Sequence, residues 1–221
     1  MTPRLLLLYK PKGYEVTRPK TLSSEAYPGQ KTVYSLLPDE FHEDGWVPVG
    51  RLDKDSSGLL LFVKEGFLVA RLQKPGNMDK VYEVLVKGRV EQEHLKRIAK
   101  GVGTPLGPLA AKAVEVLDRL EFQTLLRVTL SEGKNKQIRR IFAGLKDGEG
   151  KSMRVLELKR VRLGPIELDG EEGSWRYLSE AETQKLLAAT PPKARKGFWP
   201  RIHPDTTKET SNLPMMNSDE L

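Results

Sequence analysis

The chain contains no cysteine, which excludes a disulfide framework, a thiolate nucleophile and any cysteine-ligated zinc or iron–sulfur centre. Histidine is scarce. His42, His94 and His203 lie far apart and form none of the short spacings of a histidine metal motif, so no metal is expected. Long apolar runs are missing as well: Leu5-Leu6-Leu7-Leu8 falls far short of the roughly 18 residues that a spanning helix needs, and is too quickly interrupted for a signal peptide. The start Met1-Thr2-Pro3-Arg4 reads as that of a mature cytoplasmic protein, with no membrane partner expected. Self-similarity at a period of roughly 20 to 50 residues is absent, which removes solenoids and propellers.

What is present is charge with a sided distribution. Thirty-seven basic residues against thirty acidic ones give a net charge of +7, which suits a polyanionic partner without demanding one. The basic residues concentrate in Lys134-Asn135-Lys136-Gln137-Ile138-Arg139-Arg140 and in residues 154–162, the acidic ones in residues 38–44 and 169–172. From Pro191 onward proline, basic, hydroxylic and acidic residues mix without apolar periodicity. We therefore expect a folded domain over 1–190 and a mobile tail over 191–221. The opening of that tail, Pro191-Pro192-Lys193-Ala194-Arg195-Lys196, would serve either as a solvated linker or as a contact for phosphates.

Within the domain, β-rich runs at 5–9, 59–63, 81–86, 125–130 and 155–163 alternate irregularly with helical patterns at 67–72, 92–100, 136–143 and 180–188. Ser179 and Glu182 stand at capping-box spacing before the last helix. Most strand-to-strand connections are too short for a series of parallel crossovers, so the class is α+β with a largely antiparallel sheet.

Four segments carry chemistry. Gly50-Arg51-Leu52-Asp53-Lys54-Asp55-Ser56-Ser57-Gly58 places an arginine, two carboxylates and two hydroxyls on a loop that runs into an apolar strand, a common catalytic placement. The same residues would equally make a charged turn. Ser56 and Ser57 lack the Gly-x-Ser-x-Gly frame of a nucleophile elbow. Gly148-Glu149-Gly150-Lys151-Ser152 ends like a phosphate-binding loop, but Leu145 stands where the pattern needs its first glycine and no strand leads into it. In 136–143, Ile138, Ile141 and Phe142 share one helical face with the arginines flanking it. The N–H groups at that helix start, together with Lys134 and Lys136, would grip phosphate oxygens; the alternative is a solvated helix face. Tyr82, in Lys80-Val81-Tyr82-Glu83-Val84, would present a ring to a base or pack in the core.

In their order along the chain these segments resemble the pseudouridine synthases, specifically the branch typified by the bacterial small-subunit ribosomal enzyme. Tyr9-Lys10-Pro11-Lys12-Gly13 is similar to the opening motif and Gly50-Arg51-Leu52-Asp53 with the leucine run to the catalytic motif. Lys80-Val81-Tyr82 is similar to the tyrosine strand, and Glu132 to Arg140 to the third motif. Leu158-Lys159-Arg160-Val161-Arg162-Leu163-Gly164, with Gly173-Ser174-Trp175-Arg176, is similar to the closing strands. The resemblance spans residues 5–183 and is strongest to the short members acting on large-subunit ribosomal RNA, the type E synthases. Many relatives carry an S4-type RNA-binding module ahead of the catalytic domain. Here that domain begins almost at Met1, so substrate grip is expected from the domain or its tail. Val63 stands where threonine is frequent, and the stretch 146–151 is longer than usual.

The resemblance implies a largely antiparallel mixed sheet flanked by helices, with the active-site cleft across the sheet. It implies isomerisation of a uridine in ribosomal RNA, most simply 23S, by a cytoplasmic monomer without cofactor. Asp53 would be the catalytic carboxylate, Tyr82 the ring that stacks on uracil, and Arg139 the guanidinium that keeps Asp53 ionised. Leu158 would close the pocket. Arg51, Lys10, Lys80, Lys134, Asn135, Lys136, Gln137 and Arg140 would bind substrate. Two other readings fit the same motifs: a synthase acting on transfer RNA, and a non-catalytic RNA-binding assembly factor of the same fold. The second has no use for a carboxylate among phosphates.

Overall fold

The leucine run that opens the chain is buried on both sides, and the sheet is built around it. In a computed structural model that describes residues 4–18, 31–43 and 45–190, β1 (Leu5–Lys10) is followed by a 3-10 turn at Val33–Leu36, α1 (Glu40–Glu43), β2 (Val47–Pro48) and β3 (Ser57–Val63). Then come α2 (Gly66–Gln73), β4 (Lys80–Lys87), α3 (Gln92–Lys100), β5 (Ala113–Arg119) and β6 (Gln123–Leu130). α4 (Gln137–Ala143), β7 (Arg154–Leu163), β8 (Ile166–Glu167), β9 (Trp175–Tyr177) and α5 (Glu180–Ala189) complete the described chain. The residues read as a tail, from Pro191 onward, lie outside the described residues. Among the described residues no helix is long and apolar enough to cross a membrane.

The strands form one sheet in the order β5-β6-β4-β7-β3-β1-β9, with β2 added to β3 and β8 to β7. All pairings are antiparallel except that of β7 with β3, which is parallel and covers only Ser57↔Lys159 and Gly58↔Arg160. This is the mixed, largely antiparallel α+β sheet expected.

The apolar runs follow from how the faces are covered. Leu6, Leu8, Leu60 and Phe62 pack into one core with β4, β6, α3 and α4, whereas Leu5, Leu7, Leu59, Leu61 and Val63 pack into a second core against α2 and α5. A strand covered on both faces reads as a continuous apolar run, not an alternation. β6 has one covered face and alternates, with Thr124, Leu126, Val128 and Leu130 buried. Of the strands that the apolar pattern did not give, β5 is an edge with no buried residue, and β2, β8 and β9 span two or three residues each, so none leaves a periodic apolar signal; β9 falls in the segment that the resemblance placed in the closing strands. The capping box at α5 forms: Ser179 Oγ accepts from Glu182 N at 3.2 Å, and Glu182 Oε2 accepts from Ser179 N at 2.8 Å.

Candidate active site

Three neighbouring strands lay the floor of a cleft of about 450 Å³, a size suited to one small ligand group. Lys80 and Tyr82 alternate onto one face of β4, and the register sets Leu130 of β6 opposite Lys80 and Arg160 and Leu158 of β7 opposite Tyr82 and Val84. Lys80, Tyr82, Leu130, Leu158 and Arg160 all line the cleft. One wall is the loop from Val49 to Ser56; the other is the turn from Gly133 to Ile138. The charged lining residues are Arg51, Lys80, Lys134, Lys136 and Arg160 against a single carboxylate, Asp53.

The Asp53 loop is held from beneath by a buried ammonium. Lys10 is 0% exposed, and its Nζ donates to the carbonyls of Pro11 at 3.0 Å, Lys54 at 3.3 Å and Ser56 at 2.6 Å. Ser56 N donates back to Asp53 O at 3.0 Å, and Gly13 N to Lys54 O at 2.8 Å, closing the turn. Burial pushes the Lys10 ammonium down to about 8, while the charges of Asp53, Asp55 and Glu172 pull the other way. Lys10 was expected to touch substrate. Its three backbone partners and lack of exposure make it a brace for the loop.

At the loop's exit Gly58 adopts φ +110°, and a Cβ there would lie 2.3 Å from the backbone oxygen of Arg160. Only glycine permits this approach, which presses the loop that carries Asp53 against the strand that carries Arg160.

Lys134, Asn135 and Lys136 are exposed on the opposite wall. Lys134 Nζ makes a surface ion pair with Glu132 at 2.9 Å, the kind of exposed contact that a phosphate displaces at little cost. Lys136 is the one non-glycine residue with positive φ among the described residues, at φ 49° and ψ 33°. Such backbone strain gathers at functional sites. Gln137, expected to bind substrate, is 3% exposed: it accepts from Lys134 N at 3.0 Å and donates to Ala110 O at 3.1 Å and Glu132 Oε1 at 3.3 Å. It shapes the turn from inside. With its own N–H given to Lys134 O and the helix only seven residues long, the cations carry the positive field here, not the helix start. Arg140 donates to Asn135 O at 3.0 Å and Asn135 Oδ1 at 3.1 Å, which fixes the wall. Ile138, Ile141 and Phe142 are buried as their shared face requires.

Arg139 was expected beside Asp53, as the guanidinium that keeps it ionised. It lines a second cavity of about 310 Å³ with Arg51, Asp53 and Lys136, but its guanidinium donates to Val155 O at 3.3 Å and Asp55 O at 3.2 Å. Among the described residues no direct ion pair joins it to Asp53. It reaches the Asp53 loop through the backbone of Asp55. Arg160 and Ser56 were missed as site residues. A charged residue at an inward position of an apolar strand was the available signal, but the strand's two irregularities hid which positions face inward.

Comparison with known proteins bears on what this cleft does. Residues 4–144 match the family described as RNA pseudouridylate synthase. The ribosomal large subunit pseudouridine synthases B of Salmonella typhi and Escherichia coli (strain K12) are each 34% identical over 195 residues, covering 86% of this chain and 62% of their own length. That of Pasteurella multocida (strain Pm70) is 34% identical over 208 residues, covering 87% of this chain and 56% of its own. The chain thus spans between half and two thirds of the length of these curated relatives, which carry the B designation and not the expected E. A crystal structure of pseudouridylate synthase superposes with a TM-score of 0.68 at 27% identity, covering 83% of this chain and 74% of that one. An H/ACA ribonucleoprotein bound to a substrate RNA containing 2′-deoxyuridine shares the fold, with a TM-score of 0.54 at 23% identity over 76% of this chain and 50% of that one.

Proposed function

The chain belongs to the RNA pseudouridylate synthase family, and from that premise we propose that it isomerises a uridine of large-subunit ribosomal RNA to pseudouridine with Asp53 as its catalytic carboxylate. The observation that carries the proposal is the cleft in which Asp53 is the one carboxylate among five cations, with the Tyr82 ring and the apolar Leu158 on its floor. The large-subunit substrate is drawn from the printed names of the relatives.

The reaction breaks N1–C1′, turns the uracil and joins C5 to C1′. It is an isomerisation, so atoms and electrons balance without a cofactor. A carboxylate beside C1′ serves either as a nucleophile at C1′ or as a base at C2′. In the first route Asp53 displaces the ring and is itself displaced by C5. In the second it takes the C2′ proton as the ring leaves and returns that proton before C5 attacks. Either way the base must leave its helix to reach the floor, at a cost of a few kcal/mol that Arg51, Lys134 and Lys136 offset by holding the phosphates around it. Tyr82 then gives the detached ring an apolar face to turn against.

Chemical mapping of pseudouridine in cells with and without this protein tests the reading. One missing modification in large-subunit ribosomal RNA, restored by the wild-type chain and not by Asp53→Asn, supports it. Loss confined to transfer RNA, loss of no modification, or turnover by purified Asp53→Asn refutes it.

A further inference from the structure

Arg160 is the strongest group in the cleft that the reaction as described does not use. Its side chain is buried, at 3% exposure, yet it lines the cleft. Its single hydrogen bond among the described residues runs from Nε to Leu59 O at 2.8 Å, and Nη2 is buried with no partner at all. A permanently charged fork of five donors, with the two N–H groups of Nη2 kept out of water and unpartnered, is an unusual thing for a fold to hold. Ser56 Oγ, buried in the same cleft lining, is also without a partner.

The position is set by register. Arg160 stands directly across the antiparallel β4–β7 pair from Tyr82, and residues so paired project from the same face as neighbours. A base stacked on the Tyr82 ring would therefore bring an edge to the Arg160 guanidinium. Gly58, whose backbone presses on Arg160, keeps that strand against the Asp53 loop. The charge of Arg160 is felt in the cleft: after burial, it is the next cause that pushes the Lys80 ammonium down.

We propose that Arg160 is a further catalytic residue, donating hydrogen bonds to the uracil ring as it departs from C1′ and holding the negative charge that the ring carries while it turns. The inference rests on the synthase reading above and deepens it. Whichever route Asp53 takes, the ring leaves with the electron pair of the N1–C1′ bond, and that charge spreads over N1, O2 and O4. When C5 attacks C1′ the pair returns to a carbon–carbon bond, C5 loses its proton, N1 gains one, and the ring is neutral again. The charge exists only in between, when no covalent bond restrains the ring. A fixed donor aimed at charge that develops during the reaction stabilises the transition state more than the bound substrate. Arg139 does not line this cleft, and its Nη groups donate to the backbone carbonyls of Asp55 and Val155. Ser56 Oγ is free to add a second donor.

The test compares two leaving groups. Large-subunit ribosomal RNA of the source organism is transcribed with uridine or with 4-thiouridine, whose sulfur makes the departing ring a weaker base in less need of a donor and leaves C5 its proton. Single-turnover rates are measured for the full chain and for Arg160→Gln, with RNA affinity and thermal melting alongside. On uridine RNA, Arg160→Gln should lower the rate about 100-fold, the loss typical of removing one such donor, with affinity unchanged. On thiouridine RNA that deficit should shrink at least about tenfold. Equal deficits on both substrates, or none, overturn the proposal, since a structural role does not distinguish leaving groups. Arg160→Lys, which keeps a cation on the strand, carries the same comparison if Arg160→Gln does not fold. A wild-type chain inactive on the uridine transcript would overturn the synthase reading itself; an active wild type with an indifferent Arg160 overturns this inference alone.

Discussion

Replacing Lys10 by methionine separates what a buried charge does for stability from what it does for placement. The ammonium is fully buried under the Asp53 loop and donates to three carbonyls, those of Pro11, Lys54 and Ser56. Removing it costs roughly 1 kcal/mol for each carbonyl left without a donor, about 3 kcal/mol together. Against this stands the desolvation of the charge. A fall from the ordinary lysine value of 10.5 to about 8 corresponds to about 3 kcal/mol by which the fold disfavours the proton at neutral pH. The two nearly cancel, so Lys10→Met should change stability at pH 7 by no more than about 1 kcal/mol, as when a buried charge gives way to an apolar side chain of similar volume. Placement does not cancel. With the turn unbraced Asp53 drifts, and a displacement of about 1 Å costs on the order of 100-fold in rate.

The pH dependence supplies the sign. Because the folded value lies below the unfolded one, the unfolded chain binds more protons between pH 8 and 10.5, and wild-type stability gains from this group as pH rises through that window. Urea denaturation at pH 7 and pH 10.5 on both proteins isolates the effect, since every other group cancels in the difference. The wild type should gain up to about 3 kcal/mol relative to Lys10→Met over this interval. Single-turnover assays at pH 7 should show Lys10→Met slowed about 100-fold with RNA affinity retained. Full activity in Lys10→Met, or a parallel pH dependence of the two stabilities, would refute the reasoning.

Gly58→Ala should destabilise the fold by more than about 3 kcal/mol, the combined effect of a positive φ and a clash with the Arg160 backbone; a melting temperature within a few degrees of wild type would contradict the close approach of β3 and β7. Lys134→Ala and Lys136→Ala should each reduce the slope of log affinity against log salt by about 1 without changing which uridine is modified. An unchanged salt slope would remove both cations from the phosphate contacts.

Much of the site is carried by consecutive residues and could be read as such. Gly50-Arg51-Leu52-Asp53, Lys80-Val81-Tyr82 and the 134–140 turn each occupy a single local element, and the cleft gathers all three. The limits of the reading appear where a residue's role depends on a distant partner. Lys10 lies in a motif and has the chemistry of a phosphate ligand, yet it points at the carbonyls of residues 54 and 56, more than forty positions away. Gln137 is taken by Ala110 and Arg139 by Val155. Arg160 was hidden for another reason: β7 slips register against β4 twice, between Val81 and Tyr82 and between Leu85 and Val86. Each extra residue swaps the inward and outward positions of the strand, and a simple alternation cannot follow that.

By itself the sequence determined the longer elements with a covered face, because their signals are local periodicities in apolar residues, and it marked out the loop that carries Asp53, because its residues are contiguous. The tertiary structure alone decided which charges face the cleft and which are consumed in holding it. Long basic side chains can reach many partners from one backbone position, and burial, which sets both their partners and their proton affinity, is a property of the packed sheet and not of any segment of the chain.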